Sequence, residues 1–431
     1  MAEKVNSIQV AISTFGSRGD VQPFLALAVG LKRAGHKVTL VTSHTFSDWI
    51  QSYGIDVRPV EFDPQDALNH PEMQAFMRKG GNPFRVLRVM REELARALNL
   101  HDEFWEVTQR ADFVVQASTS IGALEATELL NIPSAIVHLF PFSTTREFPS
   151  FFLGALRSSL GPGYNQLTHW AAHQLVWKII GAPMSNQWRQ QLGLKAWHSY
   201  AELYAQARQQ KTPILCAFSP SLLPKPADWD ANHFLTGYWF LERPSTWQPP
   251  AELVHFLESG PPPVYIGYGS MNAGDGEEKT ELILRALERS GQRGILLSGW
   301  GGLAQGKEVE NVFYIENVPH DWLFPQMAAV VHHGGAGSTA AGIRAGIPSL
   351  ITPVAADQYA WAEQVVKAGV GPRMPDRKSL TAENLAEGIQ IALNDQEVRS
   401  RAAQLGKSIR AEKGVERAIK IIERHAAQFR T

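Results

Sequence analysis

Apolar segments alternate with helical patterns along this chain, and the alternation predicts parallel sheets flanked by helices. Ile8 to Thr14 is an apolar segment that ends in a glycine-rich turn, and Val21 to Ala34 follows with helical spacing. The β-branched run from Lys37 to Thr42 completes one βαβ unit. The same rhythm recurs more weakly at Ala111 to Val115, Ala123 to Leu130 and Pro133 to Val137.

Prolines interrupt this pattern between Phe218 and Pro250, which predicts an irregular linker. The strand rhythm then restarts at Val264 to Gly267, Gly294 to Ser298, Val312 to Ile315, Ala329 to His332 and Pro348 to Thr352. A chain of 431 residues also exceeds what one hydrophobic core usually supports. We therefore predict an α/β protein with two doubly wound, Rossmann-like domains that face each other across a cleft.

The predicted boundaries are an N-terminal domain at 1–218, a linker at 219–250 and a C-terminal domain at 251–393. A charged helical segment at 394–431 is expected to pack back on the N-terminal domain. Ligands of open parallel sheets bind beyond the carboxyl ends of the strands, so the chemistry is expected in loops that meet in the cleft.

Composition narrows the possible partners and compartments. The 41 basic and 42 acidic side chains give a formal net charge of −1, so nucleic acid is not an expected partner. A single cysteine, Cys216, suits a reducing compartment. Residues 1–16 are too polar for a signal sequence, and no apolar run reaches the roughly 20 residues that cross a bilayer. We predict a cytoplasmic protein, with peripheral membrane contact left open.

The glycine-rich stretch from Val331 to Thr339 is the strongest candidate for chemistry. It leads into a predicted helix, Ala340 to Ala345, whose first N–H groups and dipole attract an anion. A diphosphate fits there, with His333 and Ser338 as side-chain donors. A purely structural turn is the alternative. Zinc is disfavoured, because adjacent histidines on a strand point to opposite faces and no further ligands accompany them.

The same stretch also fits a nicotinamide-binding pattern. Gly335 to Ala340 matches G-x-G-x-x-A, and Asp357 lies twenty residues past Gly337. Against a dehydrogenase, two polar histidines precede the pattern. Asp357 also follows Pro353 and neighbours Gln358, and this pair suits the hydroxyls of a sugar.

Several motifs together resemble family 1 glycosyltransferases, which have the GT-B fold. The motifs are Gly16 to Pro23, Gly267 to Met271, Pro319 to Phe324, His332 to Thr339, Ala345 to Pro348 and Asp357-Gln358. The resemblance is strongest to sterol glucosyltransferases and to bacterial antibiotic or natural-product glycosyltransferases. It extends from residue 8 to about 372, without a recognisable motif between about 60 and 215.

The resemblance implies that an acceptor binds the N-terminal domain and a nucleotide sugar binds the C-terminal domain. The glycine-rich turn would hold the diphosphate, Asp357 and Gln358 the hexose, and Trp300 and the backbone at Val318 the nucleobase. The full set of implied donor contacts is Ser17, Ser270, Trp300, Val318, His333, Gly335, Ala336, Gly337, Ser338, Asp357 and Gln358.

The resemblance also places Asp20 at the position of the catalytic base. An alcohol is a poor nucleophile, and a carboxylate that takes its proton lets it attack from the face opposite the diphosphate. One displacement of this kind inverts the anomeric carbon. An aspartate before an apolar helix is equally an ordinary helix cap, and the sequence leaves both roles open.

Two departures from the plant members of the family affect the details. The acid that pairs with the base in them aligns with Gln116 to Ser118, so Asp20 would act without a partner carboxylate. The acid that binds the ribose hydroxyls aligns with Ala341, which weakens the distinction between uridine and thymidine. UDP-glucose is still the expected co-substrate, favoured over dTDP-sugars.

Asp228 and Asp230 have the Asp-x-Asp spacing with which another class of glycosyltransferases holds manganese or magnesium. They lie in the predicted linker, which favours a solvated loop. No metal requirement and no cofactor are predicted.

Aromatic residues are concentrated between Phe140 and Tyr200, where there are eleven. We predict that Phe142, Phe148, Phe152 and Trp170 line an apolar acceptor pocket. Core packing and a membrane-contacting surface are the alternatives.

The leading hypothesis is a metal-independent, inverting hexosyltransferase that acts on a lipophilic acceptor such as a sterol, a flavonoid or another natural product. A nucleotide-sugar epimerase and a noncatalytic nucleotide-sugar binder on the same fold are the alternatives. The sequence does not predict an oligomeric state.

Overall fold

A computed structural model describes residues 7–61, 63, 66, 70–72, 89, 100–118, 120, 122–153, 159–269, 276–298, 303 and 309–429. Helices and strands are numbered here in chain order within these residues. None of the helices they form is long and apolar enough to cross a membrane.

The N-terminal half of the described chain forms a parallel sheet flanked by helices. The strands are β1 (Gln9–Ser13), β2 (Lys37–Ser43), β3 (Asp56–Val60), β4 (Phe113–Ala117), β5 (Ser134–His138), β6 (Ile214–Cys216) and β7 (His233–Leu235). The helices are α1 (Arg18–Arg33), α2 (Ser47–Ser52), α3 (Leu100–Thr108), α4 (Ala123–Leu130), α5 (Pro162–Val176), α6 (Ala182–Gln191) and α7 (Tyr200–Gln209). The strand order is β3-β2-β1-β4-β5-β6-β7, so the winding direction reverses between β1 and β4.

The C-terminal half repeats this architecture. Its described strands are β8 (Val264–Gly267), β9 (Gly294–Leu297), β10 (Val312–Ile315), β11 (Ala329–His332) and β12 (Ser349–Ile351). The helices are α8 (Ala251–Glu258), α9 (Gly276–Ser290), α10 (His320–Leu323), α11 (Ala336–Ala345), α12 (Gln358–Ala368), α13 (Ala382–Asn394), α14 (Gln396–Ala411) and α15 (Gly414–Phe429). The order β10-β9-β8-β11-β12 reverses between β8 and β11. The predicted fold class of two doubly wound α/β units is confirmed.

Burial explains why the apolar segments form strands. Every residue of β4, β5, β8 and β11 is buried. Strands of parallel sheets that are covered on both faces have such continuous apolar runs. The carboxyl ends of β1 and β11 carry the two loops in which the chemistry was expected.

Three elements show how the segments between and after the two sheets pack. Strand β7, at His233–Leu235, lies inside the predicted linker and pairs with β6. The stretch between Pro226 and Pro244 contains no proline and is long enough for a short edge strand. Helix α14 packs on α11 of the C-terminal half, where Gly406 contacts Gly346 closely. Helix α15 packs on α1, and His36 Nε2 lies 3.1 Å from Glu423 Oε1. The last helix therefore packs on the N-terminal half.

An apolar cluster joins the two halves. Phe151 packs edge-on against Trp361 of α12, with ring centroids 5.3 Å apart, and Phe218 contacts the same indole at 6.4 Å. Trp361 is fully buried in this cluster. The shared core fixes how the loops of the two halves face each other.

Candidate active site

Asp20 lies in the first turn of α1, directly after β1. Its Oδ2 accepts hydrogen bonds from the Ser17 backbone N at 2.8 Å and from Ser17 Oγ at 2.9 Å, within a capping box. Gly16 has a φ of 132°, and a Cβ there would lie 2.4 Å from Asp20 Oδ2. Glycine at this position therefore makes room for the carboxylate, which the helix start holds in one orientation.

Two opposing effects act on the pKa of Asp20. Burial raises the pKa above its ordinary value, and the two hydrogen bonds from Ser17 oppose the rise because they stabilise the ionised form. Burial is the larger effect. A carboxylate with a raised pKa binds a proton more tightly, so it is a stronger base toward a hydroxyl than an exposed aspartate is.

The turn after β11 places His333 and the start of α11 at the reversal point of the C-terminal sheet. Gly334 has a φ of 93°, and a Cβ there would lie 2.5 Å from Ile351 Cγ2, so glycine is required. Helix α11 starts after Gly335 without a side-chain cap. Gly337 in its first turn is exposed, and a Cβ there would meet nothing within 4 Å. The N–H groups of this turn and the helix dipole form an accessible site for an anion.

His333 is neutral near pH 7, because burial and then the Arg377 guanidinium lower its pKa to about 4. Its Nδ1 is buried and has no hydrogen-bond partner among the described residues. A buried polar atom of this kind is a group that a ligand can satisfy. The neighbouring His332 has a different task, since its Nδ1 accepts a hydrogen bond from Gly334 N at 3.0 Å and stabilises the turn.

Asp357 and Gln358 lie at the start of α12, after β12. Asp357 Oδ2 accepts a hydrogen bond from Trp361 Nε1 at 3.0 Å. Gln358 Oε1 accepts two, from the backbone N of Val354 at 2.8 Å and of Ala355 at 3.1 Å. These contacts fix both side chains before a ligand binds.

The two halves of the candidate site face each other across one cleft. Burial, and then the charge of Asp20 in the other half, raise the pKa of Asp357 to about 7. Arg18 Nη1 donates a hydrogen bond to Asn317 Oδ1 at 3.1 Å and so spans the same gap. The two carboxylates singled out by the sequence are therefore close enough to interact.

The other predicted donor contacts fall into three groups. Ser270 and Trp300 lie outside the described residues. Val318 is 8% exposed, with its side chain in the C-terminal core. Ala336 and Ser338 are half-buried on either side of Gly337. The structure thus brings together the turn after β11, the start of α12 and the loop with Ser17.

The four residues predicted to line an acceptor pocket do not share one surface. Phe142 is 6% exposed and packs against Tyr200, with ring centroids 5.3 Å apart. Phe148 is 8% exposed and belongs to the cluster that joins the two halves. Phe152 is half-buried against the cluster of Phe142, whereas Trp170 is 60% exposed.

The carboxylates of the Asp-x-Asp pair contact other groups of the protein. Asp228 accepts hydrogen bonds from Thr145 Oγ1 at 2.7 Å and from Arg146 N at 2.8 Å. Asp230 Oδ1 lies 2.8 Å from His233 Nδ1. Across the part of the chain that the structure describes, no group of three or more His, Cys, Asp or Glu residues is placed to hold a metal ion.

Arg18 is a candidate site residue that sequence patterns do not identify. Its guanidinium lies 4.7 Å above the Trp49 ring and bonds to Asn317, which is 299 positions away in the chain. The only local signal is its place one residue after Ser17. The contact depends on how the two halves meet, which no local pattern records.

Two family models match the chain. "Glycosyltransferase family 28 N-terminal domain" matches residues 10–149, and "Erythromycin biosynthesis protein CIII-like, C-terminal domain" matches residues 305–423. The crystal structure of the glycosyltransferase of kitacinnamycin superposes with a TM-score of 0.68 at 20% identity, and the match covers 98% of this chain and 100% of that one. The fold is GT-B, the two-domain fold of glycosyltransferases.

Relatives that match along almost the whole chain define the family. Sterol 3-beta-glucosyltransferase UGT80B1 of Arabidopsis thaliana is 34% identical over 97% of this chain and 68% of its own length. A sterol 3-beta-glucosyltransferase of Emericella nidulans is also 34% identical over 97% of this chain, which spans 30% of that longer protein. The chain belongs to the glycosyltransferase family of these sterol 3-beta-glucosyltransferases, and the predicted family and enzyme class are confirmed.

Proposed function

We propose that this glycosyltransferase moves glucose from UDP-glucose to a hydroxyl of a lipophilic acceptor, such as a sterol, a flavonoid or another natural product, with inversion and without a metal ion. The observation that carries the proposal is the meeting of Asp20 and Asp357 across the cleft, where the charge of one raises the pKa of the other. A hexose between them has a base on one side and a partner for its hydroxyls on the other.

The donor diphosphate belongs at the start of α11. The first-turn N–H groups, with Gly337 leaving the approach open, supply hydrogen bonds to phosphate oxygens. His333 adds a neutral hydrogen bond, because its pKa lies well below 7 in the free enzyme. Negative charge grows on the leaving diphosphate during the reaction, so these groups stabilise the transition state more than the ground state.

Asp20 acts as the base. Its carboxylate removes the proton of the acceptor hydroxyl while the new C–O bond forms at the anomeric carbon and the bond to the diphosphate breaks. Ser17 keeps the carboxylate in place through two hydrogen bonds. Only the ionised form accepts a proton, so the rate rises with pH through the raised pKa of Asp20.

The proposed identities of the sugar and of the acceptor are supported by the names of the relatives. Two proteins that match nearly the whole chain are named as sterol 3-beta-glucosyltransferases, which supports glucose and a hydrophobic alcohol. Independence from metal is supported by Asp228, both of whose carboxylate oxygens are engaged by protein donors.

The test is a matrix of UDP- and dTDP-sugars against sterols, flavonoids and macrolides, analysed by mass spectrometry with and without excess EDTA. We expect a hexose adduct from UDP-glucose with a lipophilic alcohol, at the same rate in EDTA. Isomerised sugar from UDP-glucose and water alone would instead identify an epimerase. Donor binding in a thermal-shift assay without turnover of any acceptor would identify a noncatalytic binder, and a metal-dependent rate would restore an Asp-x-Asp metal site.

A further inference from the structure

Helix α5 of the N-terminal half exposes large apolar side chains along one side. Leu167, Trp170 and Leu175 are 57%, 60% and 43% exposed, and Leu160 just before the helix is 77% exposed. These four residues form what we term the apolar stripe. Within the described residues only seven large apolar side chains are this exposed, and four of them lie between 160 and 175. Single exposed apolar residues are ordinary, but such a cluster marks an interaction surface.

The stripe is separate from the side of α5 that packs inward. At 3.6 residues per turn, its three helical members fall within an arc of about 140°. The other side of the helix is buried and reaches the predicted acceptor region, where His173 Nε2 lies 2.9 Å from the carbonyl oxygen of Phe142. One side of α5 thus contacts the aromatic region predicted to bind the acceptor, and the other is left uncovered by the described residues.

The charge around the stripe indicates what covers it. Between Glu147 and Glu202 the sequence has no acidic residue, although acidic residues slightly outnumber basic ones in the whole chain. The basic residues of this interval are Arg157, Lys178, Arg189 and Lys195. Arg189 is buried beside Glu125, whereas Lys178 and Lys195 are exposed. A segment of this kind, with large apolar residues, a tryptophan and lysines but no acids of its own, complements an anionic bilayer.

We propose that α5 docks the protein on an anionic phospholipid bilayer. The apolar stripe lies in the boundary between headgroups and acyl chains, and Lys178, three residues past Leu175, lies near the lipid phosphates. A second copy of this chain fits less well, because its own stripe offers no acidic partner to the lysines. Docking of this kind is separate from glycosyl transfer and requires neither donor nor acceptor.

Flotation with vesicles tests the docking in the absence of both substrates. We expect the protein to bind vesicles of phosphatidylcholine with about one third phosphatidylglycerol, and to bind pure phosphatidylcholine about tenfold less. A double change, Leu167→Gln with Trp170→Gln, should weaken binding about tenfold or more, and Lys178→Glu about fivefold or more. The matched controls Leu129→Gln and Ile391→Gln, at positions 40% and 41% exposed outside the stripe, should bind as the wild type does.

A labelled protein tests the geometry without removing most of the stripe. The one native cysteine, Cys216, is buried, so a thiol-reactive environment-sensitive dye will label Leu167→Cys at the new site. We expect its emission to shift to the blue on anionic vesicles and to be quenched by brominated acyl chains, whereas Ile391→Cys shows neither change.

Three results would overturn the proposal. The first is that the wild type fails to float with anionic vesicles, and the second is that the dye at 167 responds no more than the dye at 391. The third is that sedimentation reveals a dimer which the double variant dissociates. Melting curves of the variants establish that they are folded, and the dye experiment decides the question if the double variant is not.

Discussion

The proposed donor side and the predicted acceptor side of this molecule are built in different ways. On the donor side the backbone sets the geometry, with Gly334 at a φ of 93° and the uncapped start of α11 aimed at the cleft. On the acceptor side the packing of large side chains sets it, as where the rings of Phe142, Tyr200 and His173 all contact one another. A site made from backbone depends on a few glycines, whereas a site made from side chains can change shape through many substitutions.

The difference has a consequence for specificity. Every donor of one class presents the same diphosphate, and a rigid turn suits a constant ligand. Acceptors differ in size and shape, and a region packed from aromatic side chains can vary with them. We therefore expect substitutions on the donor side to abolish transfer to all acceptors alike, and substitutions on the acceptor side to change which acceptor is used.

The largest effect is expected at Asp20, where the two sides meet. Asp20→Asn should lower turnover roughly 100- to 10,000-fold with every acceptor, because the amide cannot take the proton. Donor binding, measured by calorimetry, should persist. Asp395→Asn is the matched control: Asp395 caps α14 through two backbone N–H groups that an asparagine oxygen can also accept. This change should affect stability by about 0.5 kcal/mol, through the lost charge at the helix start, and should not affect turnover. Near-normal turnover in Asp20→Asn would leave the carboxylate with a capping role only.

The glycine-rich turn gives the next largest effect and separates folding from binding. Gly334→Ala should destabilise the protein by about 1–3 kcal/mol, because its φ is unfavourable for alanine and a Cβ would clash with Ile351. Gly337→Ala should not lower the melting temperature, since a Cβ there meets nothing within 4 Å and alanine favours a helix more than glycine does. Its methyl group would still obstruct a phosphate, and donor affinity should fall about tenfold. Unchanged affinity in Gly337→Ala would remove the diphosphate from this turn.

Local backbone patterns made much of the donor side predictable. The predicted strands Val264–Gly267, Val312–Ile315 and Ala329–His332 have the bounds that the structure shows. The glycines after β11 predicted a turn into a helix, because the conformational preference of a glycine affects only the backbone next to it in the chain. Helix α11 begins at Ala336, four residues before the predicted start at Ala340, since the glycines continue into its first turn.

The acceptor side was less predictable for a physical reason. An excess of aromatic residues shows that large apolar surfaces exist, but whether a ring faces core, cleft or solvent depends on segments far away in the chain. Phe148 is buried against the other half of the molecule, and Trp170 is exposed. The Arg18–Asn317 hydrogen bond could not be predicted for the same reason, since it exists only where the two halves of the chain meet.

The pH dependence of donor binding tests whether the two carboxylates interact. Burial and the charge of Asp20 hold the pKa of Asp357 at about 7, so UDP-glucose affinity should change as pH passes through that value. Asp20→Asn removes one of the two causes and should move the transition to lower pH, while burial still keeps it above the ordinary aspartate range. Calorimetric titrations between pH 5 and 9 measure the shift. A transition that does not move would mean that the two groups are electrostatically independent in solution.

The smallest effect is expected at the link between the halves. Asn317→Ala removes only the acceptor of the Arg18 hydrogen bond, and Arg18→Met removes its donor while keeping a long side chain above Trp49. Each should lower kcat/KM about 2- to 10-fold, in line with one hydrogen bond of about 0.5–1.5 kcal/mol. Because both changes break the same bond, the double variant should lose little more than either single one. Losses that multiply would show that the two side chains act separately, and that the apolar cluster around Trp361 alone holds the donor and acceptor sides in register.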